Sequence, residues 1–112
     1  MEKKKLGKIE CASFGYGGYQ DACLGLDVTL KMQGSGCGDF IGFWAKSIID
    51  CSENCEWTEK DRDKHMSDMT YKVDELLSQA KVKRVRDLVG KPVEIVLDGN
   101  TLKSWRILEE VL

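Results

Sequence analysis

The segment best suited to chemistry is a glycine- and aromatic-rich stretch, FGYGGYQD, at positions 14–21. It lacks the lysine of a Walker loop and the G-x-G-x-x-G spacing of a dinucleotide site, so neither nucleotide motif is present. Its glycine amides can approach a ligand closely, and its tyrosines offer stacking faces and hydroxyl groups. We predict that it cradles a phosphate or flanks a base; the alternative is a hairpin loop packed on its own sheet. The predicted ligand-binding residues of this segment are Tyr16, Gly17, Gly18, Tyr19 and Gln20.

A second candidate lies at positions 103–106, in the last predicted strand. Strand alternation places Lys103 and Trp105 on one face and Ser104 and Arg106 on the other. Lys103 and Arg106 could bind phosphate and Trp105 could stack on a base, so all three are predicted ligand-binding residues. The alternative is an ordinary half-buried tryptophan whose charged neighbours are solvated.

Metal binding and catalysis have weaker support. Cys37, Cys51, Cys55 and His65 could form a zinc site, but the C-x3-C pair is at the edge of usual ligand spacing and His65 stands ten residues further on. His65 also lacks an evident Cys or Ser partner for nucleophilic catalysis. We therefore predict no metal, no cofactor and no catalytic residues, and a protein that is not an enzyme.

Composition restricts the classes of partner. The chain has 112 residues with a formal net charge of -2, so it should form a single domain, 1–112, without the positive field needed to bind duplex DNA or anionic lipid. No apolar run approaches the length of a membrane span, and the charged start has no apolar segment after it. Together with five cysteines, an odd number, these features predict a cytoplasmic protein with free thiols.

The elements that must position these residues can be read from hydrophobic periodicity. Strands are predicted at 5–14, at 22–32, where apolar residues occupy every second position, and at 39–48. The glycine cluster at 33–38 is interpreted as a turn. Cys11 and Cys23 fall inside predicted strands, where we expect them to be small buried apolar groups.

The second half of the chain predicts a helix followed by a hairpin. Thr58 is a predicted cap, and an apolar stripe at helical spacing follows it, with a short turn at 82–90 that carries Val85, Leu88 and Val89 inward. Strands at 92–97 and 101–111 flank a turn at 98–100. The predicted fold is α+β, a mainly antiparallel sheet of about five strands with one main amphipathic helix on one face. The stripe comprises Met66, Met69, Val73, Leu76, Leu77 and Ala80.

Several segments also carry a resemblance: FGYGGYQDACLGL, GDFIGFWA, EWTEKDRD, AKVKRVRDLVGKPVEI and LKSWRILEEVL. Together they resemble a family of small, largely uncharacterised cytosolic proteins encoded by phages and prophages of Gram-positive bacteria. Small phage proteins of this kind include counter-defence factors that sequester the cyclic nucleotides made by bacterial immune enzymes. The resemblance therefore implies a protein that binds and sequesters a small cyclic nucleotide without cleaving it.

Two hypotheses from different classes follow. A nucleotide sponge works by mass action and is expected to be a homo-oligomer with a tight pocket. A protein-binding inhibitor or accessory factor would instead use a surface aromatic patch formed by Phe40, Phe43 and Trp44. Convergence of the tyrosine segment and the last strand on one pocket would favour the sponge.

Overall fold

Five antiparallel strands form one sheet in the order β3-β2-β1-β4-β5, in a computed structural model that describes residues 2–17, 23–44 and 59–112. The predicted α+β fold, with one main helix packed on this sheet, is confirmed. The strands are β1 (Glu2–Gly17), β2 (Cys23–Met32), β3 (Ser35–Trp44), β4 (Pro92–Asp98) and β5 (Thr101–Ile107), and the helix is α1 (Glu59–Ala80).

The connections make a Greek key. Strands β1, β2 and β3 follow one another in the sheet, and the chain then returns through α1 to place β4 on the other side of β1. The sheet also curls, and Trp105 of β5 donates a hydrogen bond from Nε1 to Oδ2 of Asp39 in β3, at 2.7 Å. The two edge strands are therefore brought together as in a partly open barrel.

Strand β1 can serve both halves of this barrel because it bends. Its first half pairs with β4 and its second half with β2, and the register with β2 shifts between Ile9 and Cys11. Close packing at Gly7 accompanies the bend, since a Cβ there would lie 2.5 Å from the Lys31 carbonyl oxygen and 2.8 Å from Cδ1 of Ile95. Any larger residue at position 7 would force the strands apart.

The core lies on the concave face of the sheet. Alternate residues of β2 and β4 are buried there, together with Ile9, Ile107 and Leu88, which belongs to a short 3₁₀ helix at Val85–Leu88. Helix α1 closes this face with Met69, Leu76 and Ala80. Burial of these apolar side chains is the main stabilising contribution to the fold.

Several predicted details of the second half are wrong. Met66 belongs to the apolar stripe but is 42% exposed, because the sheet supports α1 from Met69 onward. Val89 is 50% exposed rather than inward, since the chain leaves the 3₁₀ helix there and turns at Gly90, whose φ is +89°. Strand β5 ends at Ile107 instead of continuing to 111, and a 3₁₀ helix, Glu109–Val111, follows it.

Corrections also apply to the first half. Strand pairing continues through most of the glycine cluster at 33–38, so only Gln33 and Gly34 form the turn and β3 begins at Ser35. Cys11 is exposed because the register shift turns it to the convex face, whereas Cys23 is buried as expected. The predicted cap Thr58 lies outside the described residues. None of the described helices is long and apolar enough to cross a membrane.

Candidate functional site

The residues predicted on the last strand are held by partners within the protein. Lys103 lies at a register shift in β5 and forms an ion pair with Glu2 at the start of β1. Trp105 is half-buried against the core and bound to Asp39, so it closes the barrel rather than presenting its ring to solvent. Trp105 therefore lies in a half-buried environment, as in the alternative interpretation of this strand.

Arg106 is engaged by two carboxylates. Its Nε donates to Glu94 on β4 at 3.2 Å, and its Nη1 donates to Glu110 at 3.2 Å. The hydrogen bonds to Glu110 and, to a smaller extent, to Glu94 raise the pKa of Arg106. The hydrogen bond between Arg106 and Glu110 also lowers the pKa of the Glu110 carboxyl group. A phosphate ligand would have to displace both carboxylates to use this guanidinium.

The tyrosine segment and β5 lie far apart. Tyr16 is 56% exposed at the end of β1, while Lys103 is bound to Glu2 at the beginning of the same strand. A strand of 16 residues has a contour of roughly 50 Å at about 3.3 Å per residue. Tyr16 and Gly17 are therefore not brought together with Lys103, while Gly18, Tyr19 and Gln20 lie outside the described residues.

A different surface collects residues suited to ligand binding, on the convex face of β1, β2 and β3. Residues directly opposite in an antiparallel sheet point to the same side, so the register defines this face in rows. One row is Gly15–Gly25–Gly42, and the next is Ser13–Asp27–Phe40. We call this surface the glycine face; its glycines are Gly15, Gly17, Gly25, Gly36, Gly38 and Gly42.

Two kinds of glycine occur on this face. Gly25 and Gly42 are required by the fold, because a Cβ would lie 2.2 Å from the Ile41 carbonyl oxygen in one case and 2.5 Å from the Leu24 carbonyl oxygen in the other. A Cβ at Gly15 would meet nothing within 4 Å. Packing among the described residues therefore gives no reason for glycine at position 15, and glycines in strand interiors often mark the close approach of a ligand.

Phe40 provides an aromatic surface on the glycine face. Its ring lies across Gly42 on its own strand and reaches Gly17, whose ideal Cβ position is 3.0 Å from Cε2 of the ring. The side chain is half-buried. A planar group could stack on an aromatic ring held in this way.

Two lysines occupy one end of the glycine face. Lys8 and Lys31 are directly opposite each other across β1 and β2, both are exposed, and neither forms an ion pair within the described part of the chain. Directly opposed like charges destabilise a sheet. An anionic ligand would relieve this repulsion.

The alternative aromatic patch is not assembled as predicted. Phe43 is only 6% exposed, because it faces the concave side in register with Leu24, whereas Phe40 faces the convex side. Phe43 therefore cannot belong to a surface patch with Phe40. The side chain of Trp44, the third member of the predicted patch, lies outside the described part of the structure.

The possible zinc ligands are only partly described. Cys37 is half-buried and His65 is an exposed residue of α1, whereas Cys51 and Cys55 lie outside the described residues. Burial, together with the nearby carboxylate of Asp39, raises the pKa of the Cys37 thiol. No three metal-ligating side chains of His, Cys, Asp or Glu come together in the ranges that the structure describes.

Sequence reasoning missed the glycine face because it interpreted positions 33–38 as a turn. The sequence does contain a signal, since every second residue from Gly36 to Gly42 is glycine except Phe40. In a strand, this period of two places three glycines and one aromatic ring on the same face. Comparison with family models, curated proteins and solved structures found no significant match. The functional argument therefore depends on the chemistry of the site.

Proposed function

We propose that this protein binds a phosphate-bearing nucleotide on the glycine face and holds it without chemical change. The observation that carries the proposal is the opposed pair Lys8 and Lys31, which lies on the same face as Phe40. The pair offers two cations to phosphate, and the ring offers a stacking surface to a base. In the setting that the sequence resemblance implies, this binding would sequester a small cyclic nucleotide made by a bacterial immune enzyme.

The spacing on the face favours a ligand larger than one nucleotide. Phe40 is four residues along β3 from Gly36, which is in register with Lys31, so the ring and the lysine pair are roughly 13 Å apart along the strand. Along the helix axis, successive phosphates of one stacked strand are spaced by about 3.4 Å. A cyclic dinucleotide or trinucleotide, or a short single strand, fits this distance better than a mononucleotide.

Passive binding also agrees with the chemistry of the face. Its described titratable residues are Lys8, Cys11, Cys23, Asp27 and Lys31, and burial of the Cys23 thiol raises its pKa. Among the described residues of the face, no hydrogen bond joins a nucleophile such as Ser13 or Cys11 to the Asp27 carboxylate. Sequestration requires only affinity and concentration, because its effect follows from mass action.

A second candidate, binding of single-stranded nucleic acid, is favoured by the architecture. A five-stranded, partly open Greek-key barrel is the architecture of the OB-fold, which binds oligonucleotides or oligosaccharides on its β2–β3 face and on the β1–β2 and β4–β5 loops. The glycine face includes the convex side of β2 and β3. This is an analogy at the level of fold, which supports a class of ligand without deciding the activity.

The test is calorimetry of the wild-type protein with cyclic di- and trinucleotides, cyclic ADP-ribose isomers, and single-stranded DNA and RNA oligonucleotides. We expect one of these classes to bind and to be recovered intact by chromatography. Phe40→Ala should weaken binding by roughly tenfold to a hundredfold, since one base–aromatic contact is worth about 1–3 kcal/mol. Tyr71→Ala is the matched control, because Tyr71 is an exposed ring on α1 away from this face.

Two further variants separate binding from folding. Gly15→Val adds a side chain where the described residues leave open space, so it should preserve stability but block the ligand. Lys8→Ala with Lys31→Ala should weaken binding and reduce its salt dependence, whereas Lys4→Ala should not. If no nucleotide binds the wild type, the proposal fails; if the ligand returns cleaved, the protein is an enzyme.

A further inference from the structure

A separate cavity lies on the concave side of the sheet, at the beginning of β1. It has a volume of about 270 Å³ and is enclosed by β1 and by the β2–β3 and β4–β5 turns. Its polar side chains include Lys3, Lys5, Ser35 and Asn100. Apart from Gly36, which belongs to both, the cavity and the glycine face lie on opposite sides of the sheet.

The two lysines are directed into the cavity by the register of β1 and β4. Lys3 is opposite Leu97 and Lys5 is opposite Ile95, and both of these partners belong to the core. Lys3 and Lys5 therefore point to the concave side, from Cα atoms about 6.6 Å apart along the strand. Both residues are exposed, so their ammonium groups can be reached by a ligand from solvent.

Among the described residues, no carboxylate neutralises these two lysines. Neither lysine forms an ion pair in the described ranges, and no described residue lining the cavity is acidic. The nearest acids in the register, Glu2 and Asp98, are opposite each other and point to the convex side, and Glu2 is already paired with Lys103. The cavity is therefore positively charged although the chain as a whole is not.

The other lining groups suit the same kind of ligand. The Ser35 hydroxyl and the Asn100 amide can donate hydrogen bonds to oxygen atoms. Cys37 also lines the cavity, and its raised pKa keeps the thiol neutral near pH 7, so it adds no negative charge. One water occupies about 30 Å³ of the liquid, so the cavity is large enough to hold a ligand bigger than a single small ion.

We propose that this cavity binds a phosphate group, held between the ammonium groups of Lys3 and Lys5 and accepting hydrogen bonds from Ser35 and Asn100. Two ammonium groups rooted on one side of a strand can contact different oxygens of the same phosphate. The ligand is either free phosphate or a small phosphomonoester whose organic part occupies the rest of the cavity. The proposal does not depend on nucleotide binding at the glycine face.

The experiment is titration of the full chain with inorganic phosphate and, separately, with glycerol phosphate, followed by backbone amide NMR shifts at ionic strength matched with sodium chloride. We expect saturable shifts at the start of β1 and at the β2–β3 and β4–β5 turns. Tighter binding of glycerol phosphate would identify a phosphomonoester, and binding of phosphate alone would identify the free ion. Shifts that follow ionic strength alone would overturn the proposal.

Variants on the same strand provide the controls. Lys3→Ala with Lys5→Ala should weaken phosphate binding at least tenfold, whereas Lys4→Ala, which faces the convex side opposite Val96, should change it less than twofold. The shifts expected here lie at the start of β1 and at the two turns, whereas nucleotide binding at the glycine face is tested at Phe40, so failure here and failure at the glycine face are distinguishable. Equal losses in the Lys4 variant and the double variant would show only general charge attraction and would refute the site.

Discussion

For a single side chain, the partner within the protein decides whether its charge or hydrogen-bonding group is available to a ligand. Trp105, Lys103 and Arg106 all have acidic partners within the described structure, whereas Lys3 and Lys8 have none there. Residue type and strand alternation identify the cationic and aromatic groups and the side of the strand on which each is expected. They could not reveal which cations are already neutralised, because those partners come from strands that are distant in sequence.

The bond between Trp105 and Asp39 should be a large single contribution to closing the barrel. Trp105→Phe keeps a ring but removes the donor, leaving a partly buried carboxylate without it, so the free energy of unfolding should fall by about 1–3 kcal/mol. Urea denaturation measures this change. Ser104→Ala, at an exposed neighbouring position, should change it by less than about 0.5 kcal/mol. Equal effects of the two substitutions would contradict a structural role for the bond.

The ion pair between Arg106 and Glu110 predicts a pH dependence of stability. Because the folded protein lowers the pKa of Glu110 below its ordinary value of 4.5, the contribution is fully present above that value and is lost as pH falls through the folded pKa. The stability difference between wild type and Glu110→Gln should therefore be largest near pH 7 and disappear in acid. It should be small, since both groups are exposed.

Thermal melting between pH 7 and pH 3 measures this dependence. Glu109→Gln removes the same charge from the adjacent exposed position and is the matched control. A difference between wild type and Glu110→Gln that grows toward low pH would contradict the assignment.

At the scale of elements, the sequence predicted most strands and the helix but misplaced their ends. Period two in β2 and helical spacing in α1 arise from burial on one face, which is a local signal. The end of β5 and the start of β3 depend on pairing with β4 and β2, which is not local. The glycine face was missed for the same reason, since glycine indicates a turn until its cross-strand neighbours are known.

The row Gly15–Gly25–Gly42 gives a matched test of this interpretation across three neighbouring strands. Gly25→Ala should destabilise the protein by about 1–3 kcal/mol, because the new Cβ would overlap the Ile41 carbonyl oxygen. Gly15→Ala should change stability by less than about 0.5 kcal/mol, because its Cβ enters open space. Urea denaturation of both variants would contradict the register if the two losses were equal.

Across the whole molecule, positive charge is concentrated at particular places although the net charge is small. The net charge of -2, which is the sum over the whole chain, predicts no general attraction for polyanions. Lysines of β1 and β2 nevertheless gather on two sides of one sheet, at Lys8 with Lys31 and at Lys3 with Lys5. Net charge could not predict either site, because the topology decides which charges become neighbours.

The homo-oligomer predicted from the sequence can be argued from the sheet edges. Strands β3 and β5 each pair on one side only in the described sheet, and the side-chain bond between Trp105 and Asp39 supplies no backbone pairing between them. Unpaired strand edges are templates for association, so we expect a symmetric dimer formed through β3 or β5. Sedimentation equilibrium should give about twice the monomer mass of 12.6 kDa, and the edge amides should exchange more slowly as protein concentration rises. A mass of 12.6 kDa at high micromolar concentration, with edge exchange independent of concentration, would rule out this dimer.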